Sequence, residues 1–153
     1  MDFRALVGEL IENEKWTMHD GGHQCVIRCE SFKDLEFSDT KMFCCSEFYN
    51  CKFENCKFNK CAYLAAKFVE CEFENCEFIE CDISYCDLSY SVYRYCDFTK
   101  SRFNSTYMSN TDMRLCKFYS AYFRNVDFNS VKLTKGSLDD AEVKDDFKGI
   151  SLL

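Results

Sequence analysis

Four side chains of the metal-ligand type fall within eleven residues of one another: His19, His23, Cys25 and Cys29, an H-x3-H followed by a C-x3-C around Asp20-Gly21-Gly22. Imidazole and thiolate are zinc donors, but structural zinc sites draw close pairs of them tetrahedrally around one point, and these spacings match no common finger. The expectation is a solvated loop with no metal. Nine further cysteines, Cys51, Cys56, Cys61, Cys71, Cys76, Cys81, Cys86, Cys96 and Cys116, keep one register of five. Of these, Cys56, Cys76, Cys96 and Cys116 would stack in one linear column facing inward, which suits packing better than tetrahedral coordination, because a free Cys behaves as a small hydrophobe. The total of 13 is odd and cannot pair off completely, which favours reduced thiols in a cytoplasmic setting over a disulfide framework. There is no Gly-rich phosphate loop and no G-x-S-x-G, and neither His lies in the region of the repeat to act as a base. The expectation is therefore a protein that is not an enzyme and carries no cofactor.

Composition narrows the class further. In 153 residues there are 16 Phe, 9 Tyr and 1 Trp but no Pro and only 5 Gly, so collagen-like and low-complexity chains are excluded. Asp and Glu outnumber Lys and Arg by 26 to 19, a formal charge of -7 that argues against general affinity for nucleic acid or anionic membranes. No apolar run approaches a bilayer span, and the start Met-Asp-Phe-Arg lacks the basic stretch and apolar run of a secretory signal.

The elements must be built on the five-residue step. Taking the residue two after each Cys as a centre, the centres run Phe48, Phe53, Phe58, Tyr63, Phe68, Phe73, Phe78, Ile83, Leu88 and Tyr93. They continue Phe98, Phe103, Met108, Met113, Phe118, Phe123, Phe128, Leu133, Leu138 and Val143. All are apolar or aromatic, an outcome expected by chance on the order of once in a few million. Five residues fit neither a helical turn nor a strand's alternation, so the chain must turn once per repeat. The residue two before each centre is always Cys, Ser, Thr, Ala, Val or Gly, a second inward position with little room. The other three positions are mostly polar, as Glu72, Glu74 and Asn75 are around Phe73. Inward large, inward small and outward polar describe a wound solenoid.

The repeat resembles that of the pentapeptide-repeat family, often written A(D/N)LXX. The matching units include Cys86-Asp87-Leu88-Ser89-Tyr90, Cys96-Asp97-Phe98-Thr99-Lys100 and Val126-Asp127-Phe128-Asn129-Ser130. The resemblance implies an all-β solenoid, a right-handed quadrilateral β-helix with residues twenty apart stacked. Residues 46 to 145 then make about five coils of four repeats, roughly 24 Å tall at the usual interstrand spacing. Lys52 should lie over Glu72, Lys57 over Glu77 and Asn55 over Asn75, pairings that stacked strands favour.

Upstream, Phe32, Phe37 and Met42 keep the step but lie one residue out of phase with Phe48, which predicts an extra residue near Cys44 and Cys45 and an irregular opening coil. Asp2 should cap a helix presenting Phe3, Leu6, Val7, Leu10 and Ile11 on one face, the lid an open solenoid end requires. Residues 1–30 are thus read as the cap, 31–146 as the β-helix and 147–153 as an apolar tail. Phe147, Ile150, Leu152 and Leu153 leave the register, either to cap the far end or to form a contact surface. Resemblance to gyrase-protecting members, which dimerise through their C-terminal ends, implies a homodimer there.

Charge is divided along the rod. Residues 68 to 93 hold Glu70, Glu72, Glu74, Glu77, Glu80, Asp82 and Asp87 with no Lys or Arg, whereas residues 94 to 135 hold eight Lys and Arg against three Asp. The resemblance implies a scaffold that binds protein rather than nucleic acid directly or membrane. Its acidic coil would imitate DNA phosphates toward a type II topoisomerase, DNA gyrase or topoisomerase IV, as quinolone-resistance members do. The alternative is a structural or assembly module with an unrelated protein partner, docking by stacked outer side chains or the C-terminal tail.

Overall fold

The structure, a computed structural model, describes residues 1–144 and 149–153. One α-helix, α1 (Phe3–Thr17), precedes a succession of two- and three-residue strands, each pairing in parallel with a strand one coil away. The chain is a four-sided β-solenoid. From Glu47 to Val143 the stacking offset is twenty, as in Glu47↔Lys67, Lys52↔Glu72 and Arg102↔Tyr122, and the last pairing, Lys132↔Ser151, is at nineteen.

The turn that the five-residue step demands is made two residues after each centre. There φ is positive at every corner from Cys45 to Ser130, with values near 55° on residues that are not glycine. This left-handed corner aims the backbone along the rod axis: the Asn55 amide donates to the Glu74 carbonyl at 2.9 Å, and the Glu72 amide to the Cys51 carbonyl at 2.9 Å. Coil-to-coil hydrogen bonds thus satisfy backbone groups that short strands could not pair within themselves.

Inside, the centres stack in four columns. Phe48, Phe53, Phe58, Phe68, Phe73, Phe78, Phe98, Phe103, Phe118, Phe123 and Phe128 are all buried. Rings one coil apart are nearly parallel: Phe53 and Phe73 lie 4.7 Å apart at 4°, and Phe103 and Phe123 4.6 Å apart at 4°. Neighbouring columns meet edge-on, as Phe73 meets Phe78 at 69°, so the interior combines the two favourable aromatic geometries. The narrow inner position takes Cys, Ala, Ser or Thr up to Ala121, and Val at Val126 and Val131. Where it is a hydroxyl, the group is satisfied: Ser91 Oγ donates to the Phe68 carbonyl at 2.7 Å and Thr106 Oγ1 to the Ile83 carbonyl at 2.6 Å.

With the opening coil, the described residues make about six coils. Val26–Arg28 pairs with Glu47–Tyr49, Ser31–Lys33 with Lys52–Glu54 and Glu36–Ser38 with Lys57–Asn59, at an offset of twenty-one. Three sides of this opening coil pair regularly and the fourth carries the expected irregularity, where the centre is the fully buried Phe43, not the half-buried Met42. The extra residue therefore falls between the corners Asp39 and Cys45. Ordered pairing also reaches past 31–146 at both ends, since Ser151–Leu152 pairs with Lys132–Leu133 and begins a seventh coil.

At the N-terminal end, Asp2 accepts the Ala5 amide at 2.8 Å and caps α1. Leu6 and Leu10 are fully buried on the first coil and Val7 packs beside them, while Phe3, half exposed, leans its ring on Phe37 at 5.6 Å. Ile11 faces solvent. Its expected place is taken by Asn13, fully buried, whose Nδ2 donates to the Met42 and Cys44 carbonyls at 3.0 and 2.8 Å and whose Oδ1 accepts the Cys25 amide at 2.9 Å. The return from α1 needs Gly22: its φ is +70°, and a Cβ there would stand 2.2 Å from the Glu12 carbonyl oxygen.

Candidate functional site

The ring-lined interior is closely filled. Beneath Tyr63, Phe68, Phe73, Phe78 and Tyr93 lies a void of about 10 Å³, roughly the size of one water. The outer positions carry side chains that the corners and strands fix in rows along the rod.

The seven carboxylates of the acidic coil encircle the rod. Glu70 stands at the corner between the first and second faces, Glu72 and Glu74 flank Phe73 on the second, and Glu77 precedes Phe78 on the third. Glu80 stands at the next corner, Asp82 precedes Ile83 on the fourth face, and Asp87 opens the following coil. They make a belt one coil high, not a stripe along one side.

Their chemistry is divided. Glu72 pairs with Lys52 at 3.2 Å and Glu77 with Lys57 at 4.0 Å, across the coil boundary. Asp82 accepts the Ser84 hydroxyl, and Asp87 Oδ1 accepts the Ser89 amide at 3.0 Å, so these two side chains are engaged within their own turns. Glu70, Glu74 and Glu80 are exposed and make no ion pair among the described residues, which leaves three carboxylates free to meet an external cation.

The next coils reverse the sign. Arg94 stacks on Glu74, Arg102 on Asp82 and Lys117 on Asp97. Asp112 grips the Arg114 guanidinium, with Nε donating to Oδ1 at 2.9 Å and to Oδ2 at 3.2 Å and Nη2 donating to Oδ2 at 2.6 Å. That guanidinium holds the Asp112 carboxyl below its ordinary range.

The His and Cys cluster does not converge. Cys25 is buried under α1, Cys29 is an exposed corner residue, and His23 Nε2 turns to Glu9 Oε2 at 2.9 Å. Among the described residues no group of three or more His, Cys, Asp or Glu is placed to hold a metal ion. Burial pushes the Cys25 and Cys81 thiols up to about 12, the behaviour of packed rather than reactive sulfur.

The C-terminal end has no helical lid among the described residues. Leu138, Val143 and Ile150 are partly buried there, whereas Leu152 and Leu153 are 57% and 63% exposed, at a strand, Ser151–Leu152, that pairs on one side only among the described residues. Phe147, expected to share this contact, lies outside the described residues. Among the described residues no helix is long and apolar enough to cross a membrane.

Residues that the sequence reading passed over are the bulky corner side chains Tyr85, Tyr90, Tyr95 and Leu115, all strongly exposed. The signal for them was present: other corners of the same register carry Asn50, Asn55, Asn75, Asn110 and Asn125, a type at home at positive φ.

Comparison with curated protein sequences finds no match. Among solved structures, the fold is similar to that of Rfr23, a pentapeptide repeat protein from the cyanobacterium Cyanothece 51142, at a TM-score of 0.56 and 11% identity over 97% of this chain and 99% of that one. It is similar to a pentapeptide repeat protein of the Arabidopsis thaliana thylakoid lumen at a TM-score of 0.58 and 19% identity over 78% and 82% of the two chains. It is also similar to trypsin-treated QnrB1, a plasmid-mediated fluoroquinolone resistance protein, at a TM-score of 0.51 and 20% identity over 71% of this chain; the match spans about half, 52%, of that one. The sequence model of pentapeptide repeats matches eight copies across residues 65–91 and 94–141. With that match on the same five-residue register that the coils display, the chain belongs to the pentapeptide-repeat family.

Proposed function

We propose that the chain is a non-enzymatic, cytoplasmic protein-interaction scaffold that docks its acidic coil into a basic groove of a protein partner. The observation that carries this reading is the trio Glu70, Glu74 and Glu80, exposed and without an ion pair among the described residues, at fixed positions on a rod whose ring-lined interior holds a void of about 10 Å³. Regularly held carboxylates engaged in no ion pair among the described residues present a phosphate-like pattern to a groove that takes DNA. A type II topoisomerase, DNA gyrase or topoisomerase IV, is the partner proposed. The fold shared with QnrB1 supports that choice only at the level of architecture.

Ionic strength tests the docking mode. Binding of the purified chain to gyrase and to topoisomerase IV, measured by interferometry over rising salt, should weaken steeply because exposed charges are screened. Binding that does not respond to salt, or none at all to either enzyme, would set this mode aside.

A second reading has its own observation in the exposed Leu152 and Leu153, at a strand that pairs on one side only among the described residues. There the chain would join a second copy as a homodimer, with Ile150 and the expected Phe147 in the contact, or hold an unrelated partner as an assembly module. An apolar contact of this kind should persist in high salt, where docking through the acidic coil fails.

A further inference from the structure

The corner between the second and third faces reads, coil by coil, Asp34, Asn55, Asn75, Tyr95 and Leu115, all at positive φ. Asp and Asn tolerate this region because their short polar side chains bond locally. Tyr95 at φ 54° and Leu115 at φ 64° have no such help, yet they are 58% and 57% exposed, so burial does not offset their backbone cost. The chain thus holds two bulky apolar side chains in solvent at the expense of its own turns. Leu153, tied by backbone hydrogen bonds to Leu133 and Lys135, joins them in lining a cleft of about 440 Å³ with Arg94, Asp112, Arg114 and Thr134.

The cations of this cleft are not equivalent. Arg114 is already held by Asp112. One coil down, Val92 stands where Asp112 stands, so Arg94 lacks that carboxylate and makes no ion pair among the described residues, although Glu74 is its neighbour on the adjacent rung. An unpaired guanidinium beside exposed apolar side chains, in a stretch of eight Lys and Arg against three Asp, is complementary to an acidic chain carrying an apolar anchor.

We propose that this cleft docks an acidic peptide segment of a partner protein. An aromatic or aliphatic side chain lies on Tyr95, Leu115 and Leu153, and an adjacent carboxylate pairs with Arg94. The site borders the acidic coil where Arg94 stacks on Glu74 and is opposite to it in sign, and its test does not depend on what the acidic coil binds.

The test uses a fluorescein-labelled synthetic peptide with a Phe-Asp-Asp core in an acidic frame, alongside one with both core Asp changed to Asn and one with Phe changed to Ser. Anisotropy should show micromolar binding of the first and at least about tenfold weaker binding of the other two. The full chain with Arg94→Gln, and the chain with Tyr95→Asn together with Leu115→Asn, should each lose about tenfold or more. The Asn pair repeats the residue found at corners 55 and 75 of the same column, so its thermal midpoint should equal or exceed that of the parent, separating loss of binding from loss of fold. No binding of the acidic peptide at millimolar concentration, or binding unchanged in both variants, overturns the proposal. So does self-association that the Asn pair abolishes in sedimentation, which would make a second copy the occupant.

Discussion

The Phe98 ring lies 4.9 Å from that of Phe78 and inclined to it by only 7°, and the far face of Phe98 meets Phe118 at 5.4 Å and 6°. A ring so enclosed has no neighbour able to collapse into its space. Phe98→Ala should therefore cost about 3 to 5 kcal/mol, as large cavities in aromatic cores do. Thermal or urea unfolding would read this directly, and a midpoint that scarcely moves would mean that the ring columns do not carry the stability.

Asn13 joins the lid to the first coil through three hydrogen bonds. Asn13→Ala should strand the buried Cys25 amide and cost about 1 to 3 kcal/mol. Ile11→Ser, on the solvent face of the same helix, should cost far less. Equal losses for the two would deny Asn13 its role as the latch.

Ten of the thirteen thiols are buried, Cys44 and Cys45 are half-buried and Cys29 alone is exposed. Burial holds Cys25 and Cys81 almost wholly protonated at neutral pH. A colorimetric thiol reagent should label Cys29 fast and the half-buried pair slowly, and reach the rest only in denaturant. Cys29→Ser should remove the fast phase. Rapid native labelling of more than these three would contradict the packing of the sulfur columns.

Acid should erode specific links between coils. Lys67, 2.8 Å from Glu47, holds the Glu47 carboxyl below its ordinary value of about 4.5, with help from the Tyr49 hydroxyl. A lowered folded value means that this contribution is complete above the unfolded value and is lost as pH falls through the folded one. The melting temperature should drop in that acidic window, and Glu47→Gln should flatten the drop. A variant with the same pH profile as the parent would show that the pair contributes nothing; because both side chains touch solvent, the effect should be small.

Much of the solenoid was legible because a period of five has no other regular solution. The twenty centres from Phe48 to Val143 share one register, and the pairings of Lys52 with Glu72 and Lys57 with Glu77 follow from stacking at twenty. The opening coil was misread at Met42 because one inserted residue between Asp39 and Cys45 breaks the count while Phe43 preserves the packing. The buried face of α1 was only half legible: an apolar pattern finds Leu6 and Leu10 but has no means of finding a buried Asn13, whose partners are carbonyls about thirty residues away. At the surface, the run of carboxylates was plain in the sequence. Which of them were free was not, because the bonds of Asp82 to Ser84 and of Asp87 to Ser89 depend on rotamers within the turn.

The central claim is that the acidic coil acts as a phosphate-like surface, and gyrase supercoiling tests it most directly. The chain would be titrated into the reaction with and without a fluoroquinolone, beside a variant with Glu70→Gln, Glu74→Gln and Glu80→Gln, which neutralises the three carboxylates engaged in no ion pair among the described residues while leaving the Lys52 and Lys57 pairs intact. Inhibition or drug protection by the parent, lost in the triple variant at an unchanged melting temperature, is the result predicted. Absence of any effect of the parent at micromolar concentration, or full activity of the triple variant, would contradict it.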